Sequence, residues 1–148
     1  MRNWSALAAS VVVVLGLSAC ETPAVPGEID LTQVDWTAET INGMPVIEPG
    51  RVTLSFSEGR VSGRGGCNLY SGPVEYGRGA MKVGPLISTK MACMANGVMQ
   101  QESAYLTTLQ AAVSYSNGGN GRLVIATAAS PTALVYAPAP RQQRPDAQ

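Results

Sequence analysis

Residues 52–63 read VTLSFSEGRVSG, and this stretch decides the fold class. Its apolar residues Val52, Leu54 and Phe56 alternate with threonine and serine, the period-two pattern of a strand with one buried face. The Glu-Gly pair that follows is a turn signal, and Arg-Val-Ser-Gly then leads the chain back. The stretch therefore predicts a β-hairpin.

Similar short β patterns recur on both sides of this hairpin. The run NGGNG at 117–121 is typical of a turn between two strands. Glycines at 63, 65 and 66 interrupt the return strand, as glycines do at bulges and tight bends. We expect further strands around Trp36 and near 72–76, 81–86, 113–115, 123–127 and 133–136.

One segment departs from the β pattern, the stretch from Gly97 to Ala112, which has no proline and no internal glycine. Its apolar stripe recurs at spacings of four and three residues, which predicts an amphipathic helix with Asn96 as its N-cap. The stripe comprises Val98, Glu102, Tyr105, Leu109 and Ala112, widened by Met99, Leu106 and Val113. Because that stripe must be buried, we expect a mainly β domain whose curled antiparallel sheet is covered or plugged at one end by the helix.

Composition excludes several classes of function. Lys and Arg total 10 and so do Asp and Glu, so the chain lacks the basic excess that nucleic-acid binding requires. It has no histidine, which excludes Ser-His-Asp and Cys-His catalysis and most zinc sites. Aromatic residues make up only 5%, which predicts an aliphatic core.

The first twenty residues have the features of an export signal. Arg2 precedes an uncharged apolar run from Ala6 to Leu17, too short for the ~20 residues of a membrane span. Leu17-Ser18-Ala19-Cys20 follows and resembles the lipobox of bacterial lipoproteins, in which the cysteine is acylated and becomes the N-terminus. Two or more acyl chains would anchor the protein stably in a membrane. The alternative is an ordinary secretory signal with an incidental cysteine.

These features predict four regions in the chain. We expect a signal peptide at 1–19, a lipidated N-terminus and tether at 20–33, a folded domain at 34–136 and a disordered tail at 137–148. Glu21, rather than aspartate, follows the cysteine. In enterobacteria-like sorting this favours the outer membrane, so we expect an outer-membrane lipoprotein that faces the periplasm.

Cys67 and Cys93 are the cysteines that remain after acylation of Cys20. In an oxidising compartment an isolated pair indicates a structural disulfide. Two free buried thiols and a redox-active pair are the alternatives, although the sequence has no CxxC motif.

Three further motifs have ordinary structural interpretations. Residues 63–68, GRGGCN, do not match a phosphate-binding loop and favour a glycine-rich bend with Asn68 at a turn. Residues 88–90, STK, lack the SxxK spacing of a Ser-Lys dyad and indicate a surface loop. Glu102 lies on the apolar helix stripe, so it is either paired with an arginine or lysine or directed at a ligand.

These motifs together resemble the META domain of HslJ-like bacterial lipoproteins. The resemblance runs from about Trp36 to Leu134 and rests on 56–63, 65–72, 88–93 and the helix residues from Glu102 to Leu109. Lys90 replaces the arginine that is more usual at that position. The resemblance implies a small half-open β-barrel crossed by one helix, no established catalytic residue and an association with envelope stress.

The sequence favours a non-enzymatic binding or scaffold module of the cell envelope, without a cofactor or metal. We expect it to contact the membrane through acyl chains on Cys20 and to bind an envelope protein. The alternative is a carrier whose barrel holds an apolar ligand such as an acyl chain.

Overall fold

The computed structural model describes residues 29–141, which form ten strands and one helix. The elements are β1 (Asp35–Ile41), β2 (Met44–Pro45), β3 (Thr53–Ser57), β4 (Arg60–Arg64), β5 (Leu69–Gly77), β6 (Ala80–Val83), β7 (Ile87–Ser88), α1 (Val98–Gln110), β8 (Ala112–Asn117), β9 (Leu123–Thr127) and β10 (Leu134–Ala139).

Eight of these strands close into an antiparallel barrel. The order is β10-β9-β8-β6-β5-β4-β3-β1, and pairing of β1 with β10 closes the ring. The short strands β2 and β7 lie outside this ring, paired with β1 and β5 respectively. The barrel is open at one seam, because β6 and β8 pair only at Ala80 and Ser114. The expected β-barrel with a single helix is thus confirmed.

The barrel has two different ends. At one end, which we call the terminal end, the start of β1 pairs with the end of β10, and Ile29 and Leu31 lie beside the β5–β6 hairpin. The opposite end, which we call the helix end, is covered by α1. There Thr108 accepts a hydrogen bond from Asn42 in the β1–β2 turn, and Gln110 accepts one from the N–H of Leu86.

The buried face of α1 is the predicted one, with Val98, Glu102, Tyr105 and Leu109 directed inward. Two details differ. Gly97, with φ 79°, precedes the first helical residue instead of Asn96, and no side chain caps the helix. Met99 and Val113, expected to widen the stripe, are exposed, and the chain after Ala111 already belongs to β8.

Most buried apolar residues are aliphatic, as predicted, but the core also contains aromatic side chains. The largest fully buried side chains are Trp36, Tyr105, Tyr136 and Phe56. Of the seven aromatic residues between 29 and 141, only Tyr76 is exposed. The few aromatic side chains are concentrated inside the barrel, and each of them buries a large apolar area.

The ordered chain extends past the range 34–136 at both ends. Leu31 is fully buried, and its carbonyl accepts a hydrogen bond from the indole N–H of Trp36. Residues 137–139 pair with 35–37 of β1, although a proline lies among them. Beyond Tyr136 the last strand pairs with β1 alone, and proline is tolerated in a strand with one unpaired side.

Candidate functional site

The loop between β4 and β5 is held by a carboxylate from the helix. Glu102 Oε2 accepts the backbone N–H groups of Cys67 and Asn68 at 2.9 and 2.6 Å, and Oε1 accepts the side-chain amide of Asn68 at 2.7 Å. Glu102 is buried, and these N–H donors satisfy it in place of the arginine or lysine we expected. The second expectation, a ligand-facing carboxylate, does not fit either, because its oxygens point at the loop.

Two glycines allow the helix to approach this closely. A Cβ on Gly65 would lie 2.8 Å from Cγ of Glu102, so a side chain there would push the carboxylate away. Gly66 has φ 132°, a conformation that side chains rarely adopt. The motif at 63–68 is therefore a bend shaped to receive Glu102, consistent with the structural interpretation of this glycine-rich run.

Asn68 connects the same loop to the segment after β7. Its Oδ1 accepts the hydroxyl of Thr89 at 2.8 Å and the N–H of Met91 at 2.7 Å, while Nδ2 also donates to the carbonyl of Met91 at 3.2 Å. Both ends of the amide are thus used, and its orientation is fixed. The local sequence predicts a turn at Asn68 but does not reveal this bridging role, because the partners of Asn68 lie more than twenty residues away.

Cys67 and Cys93 form the expected disulfide, with their Cα atoms 6.0 Å apart. The bond ties the β4–β5 loop to the segment after β7 a second time, next to the Asn68 bridge. Cys20 lies outside the described residues. Ser88 and Lys90 are exposed beside this bridge, in agreement with a surface position for 88–90.

A chain of three buried tyrosine hydroxyls crosses the barrel below the helix. Tyr136 donates to Tyr105 at 3.2 Å, the Tyr105 and Tyr70 hydroxyls are 2.6 Å apart, and Tyr70 donates to the carbonyl of Thr53 at 2.8 Å. In this order each hydroxyl proton has an acceptor, so the chain ends at a backbone oxygen. Gly63 makes room for it, since a Cβ there would collide with the same carbonyl oxygen.

Burial raises the pKa of all three tyrosines, because the low-dielectric interior disfavours the phenolate. The pKa of Tyr105 is raised to about 12. Burial raises the pKa of Tyr70 and Tyr136 well above 10, and the neighbouring hydroxyl of Tyr105 adds to both shifts. The hydroxyls therefore stay protonated at neutral pH and act as a structural network.

The helix end carries most of the exposed large apolar side chains. Among residues 29–141 nine such side chains are exposed, and seven of them belong to this end: Met44, Ile47, Leu69, Ile87, Met91, Met94 and Met99. The exposed face of α1 adds no charge, since the helix has no lysine or arginine and its one carboxylate, Glu102, is buried. A surface that is apolar and poor in charge is typical of a protein interaction site.

The sequence profile of the META domain matches residues 29–140. The chain belongs to the META domain family. A comparison with curated proteins finds no match. Among solved structures, a protein from Burkholderia xenovorans determined by NMR is 26% identical with a TM-score of 0.58, and the match covers 75% of this chain and 85% of that one. A second NMR structure is also 26% identical, with a TM-score of 0.56 and coverage of 72% and 89%.

META domains are in general non-catalytic, and the described residues contain no group of three or more metal-ligating side chains. Between residues 29 and 141 no helix has the length and hydrophobicity needed to cross a membrane. The geometry of this META domain is that of a barrel with exposed apolar side chains at one end, beside a helix face that carries no charge.

Proposed function

We propose that this META domain is a lipid-anchored, non-enzymatic binding module of the bacterial envelope, which holds a protein partner on the helix end of its barrel. The lipid anchor would be Cys20, after cleavage at the Leu17-Ser18-Ala19-Cys20 motif. The exposed apolar cluster at the helix end is the observation that carries the binding role.

The positions of the two ends support this arrangement. The first described residues, Ile29 to Leu31, lie at the terminal end, beside Tyr76 and Gly77 at the end of β5. Leu69 begins the same nine-residue strand at the helix end, about 26 Å away at 3.3 Å per residue. A chain anchored through Cys20 would therefore hold its terminal end near the membrane and direct the apolar end into the periplasm.

The interior favours a scaffold over the alternative of an acyl carrier. Three tyrosines and Trp36 fill the barrel under the helix, and their polar atoms are hydrogen-bonded to one another or to the backbone. Two cavities in the described part of the chain, about 290 and 280 Å³, are open surface clefts lined by Ile29–Leu31 and by Leu69–Ser71 among others. An acyl chain in the barrel would have to displace fully buried side chains.

Two measurements test the proposal. Intact-mass analysis of the membrane fraction should give a chain that starts at Cys20 and carries acyl mass, and Cys20→Ser should release the protein from that fraction. A photo-cross-linking amino acid at Met94 should capture an envelope protein in intact cells, whereas the same group at the exposed Ser116, near the terminal end, should not. A soluble chain with unmodified Cys20, or equal capture from both positions, would contradict the proposal.

A further inference from the structure

The outer edge of β7 is an open strand edge at the helix end. In the β5–β7 pair, the N–H of Thr89 donates to the carbonyl of Leu69 at 3.0 Å, and Tyr70 lies opposite Ser88. Hydrogen-bonded and non-bonded pairs alternate in an antiparallel ladder, so the N–H and C=O of Ser88 point away from β5.

The neighbouring residues confirm this alternation. The N–H of Leu86, two residues before Ser88, also points to the outer side and is taken by Gln110 of the helix. Met91, on the inner side, directs its N–H and C=O to Asn68. Among the described residues the backbone groups of Ser88 and Lys90 have no hydrogen-bond partner, so the edge is open over these two positions.

Apolar side chains flank this open edge. Ile87 is 69% exposed and Met91 is 52% exposed. These two residues lie on either side, along the chain, of Ser88 and Lys90, whose backbone groups face outward. Leu69, 52% exposed, lies diagonally across from Ile87 on the adjoining strand. A cleft of about 280 Å³ runs along these two strands and is lined by Leu69–Ser71 and Ile87–Thr89. An added strand would place every second side chain against this apolar row.

The charges around the edge are positive. Lys90 is exposed at the edge itself, and Arg64 lies opposite Leu69 on the next strand. The carboxylates at this end are engaged elsewhere, since Glu48 pairs with Arg51 and Glu102 is buried against N–H groups. The complementary partner therefore carries a carboxylate near Lys90.

We propose that the outer edge of β7 binds an extended segment of a partner protein by strand addition, with apolar side chains at alternate positions and an acidic residue facing Lys90. The inference rests on the proposed binding function and gives the chemistry of its partner.

Other occupants fit this edge less well. A second copy that paired the same edges antiparallel would bring the two Lys90 side chains close together, and like charges repel across a strand pair. The chain's own segments at 21–28 and 142–148 adjoin the described terminal end, and both contain proline, which lacks a strand N–H.

A labelled ten-residue peptide tests the proposal, with valine alternating with threonine and one central glutamate. Fluorescence anisotropy should show saturable binding to the full mature chain. Ser88→Pro removes the outward N–H and leaves the β5–β7 hydrogen bonds intact, so it should weaken binding at least tenfold. Lys90→Glu should shift the preference to a peptide with central lysine. Lys82→Glu, a charge reversal at an exposed position on β6, should bind as the wild type does.

Thermal unfolding checks that Ser88→Pro is folded. As a second control, a peptide N-methylated at alternate positions lacks the backbone N–H groups that would donate to the edge of β7. Strand addition would be overturned if the wild type showed no saturable binding. It would also be overturned if the peptide bound Ser88→Pro as tightly as the wild type and the N-methylated peptide bound the wild type as tightly as the unmodified one. So would a dimer in sedimentation that Ser88→Pro dissociates, because it would assign the edge to a second copy. The mass at Cys20 and the cross-link from Met94 do not depend on this peptide, so the two proposals can fail separately.

Discussion

Glu102 and Asn68 are joined by two hydrogen bonds across 34 residues of chain, at 2.6 Å from the backbone N–H and 2.7 Å from the side-chain amide. The relationship fixes the helix against the β4–β5 loop. Because Asn68 Oδ1 accepts from Thr89 and Met91, the amide cannot turn round to suit a different partner.

Glu102→Gln should therefore destabilise the fold, although it preserves size. One of its two terminal atoms becomes an N–H donor, which must face a donor from Asn68 or from the loop backbone. We expect a loss of about 1–3 kcal/mol in the free energy of unfolding. The exposed Glu58→Gln should change it by less than about 0.5 kcal/mol. Urea unfolding of both variants measures the difference, and similar midpoints would show that the carboxylate is not needed.

The disulfide closes a loop between residues 26 apart and should contribute about 2–4 kcal/mol to stability. Cys93→Ser should lower the denaturant midpoint accordingly. Reductant should lower the wild-type midpoint to the same value and leave the variant unchanged. Labelling of both Cys67 and Cys93 by a thiol reagent in the folded, unreduced protein would contradict the assignment.

The tyrosine chain predicts loss of stability at high pH. The pKa of Tyr105 is about 12 in the folded state, and those of Tyr70 and Tyr136 are raised well above 10. Their contribution is complete below the unfolded pKa of about 10 and is lost as the pH rises through the folded values, because the unfolded chain releases these protons more readily. Unfolding free energy should be insensitive to these groups up to pH 9 and fall steeply above pH 10. A flat profile to pH 12 would contradict their burial.

Loss of the middle hydroxyl in the tyrosine hydrogen-bond chain should cost more stability than loss of the first hydroxyl. Tyr105→Phe leaves the hydroxyl of Tyr136 without its acceptor, so we expect a loss of about 1–3 kcal/mol. Tyr136→Phe removes only the first donor, and every remaining proton keeps an acceptor, so its cost should be about 1 kcal/mol. Denaturant unfolding at pH 7 compares the two, and the reverse order would refute the proposed direction of the hydrogen bonds.

Local pattern was enough to predict much of the fold. The alternation at 52–56 and the spacing of Val98, Tyr105 and Leu109 each report which face of an element is buried, and both faces lie inward in the structure. Strand ends were less accurate. The strand expected at 81–86 stops at Val83, because Gly84 and Pro85 follow and interrupt the ladder.

Relations between distant residues could not be read in the same way. Glu102 was identified as an unusual carboxylate on an apolar stripe, but its partners are backbone N–H groups of a loop 35 residues earlier. Composition likewise counts aromatic residues without placing them, so it missed Trp36, Phe56 and Tyr136 in the core. Which backbone N–H groups meet Glu102, and which side chains are buried, is decided when the barrel closes. The spacing of residues along the sequence does not report these contacts.

Leu109 tests whether the helix closes the barrel. The side chain is fully buried, and Leu109→Ala should cost about 2–5 kcal/mol, because the surrounding residues can fill the cavity only in part. The neighbouring Thr108 is an unsuitable control, since its hydroxyl accepts a hydrogen bond from Asn42. The exposed Thr107→Ala is the better match and should stay within about 0.5 kcal/mol of the wild type.

The variants Leu109→Ala and Thr107→Ala also distinguish a scaffold from an acyl carrier. In a filled barrel, Leu109→Ala lowers stability and leaves a fluorescent fatty acid unbound in both variants. Saturable fatty-acid binding by the wild type that Leu109→Ala alters and Thr107→Ala does not would instead support the carrier.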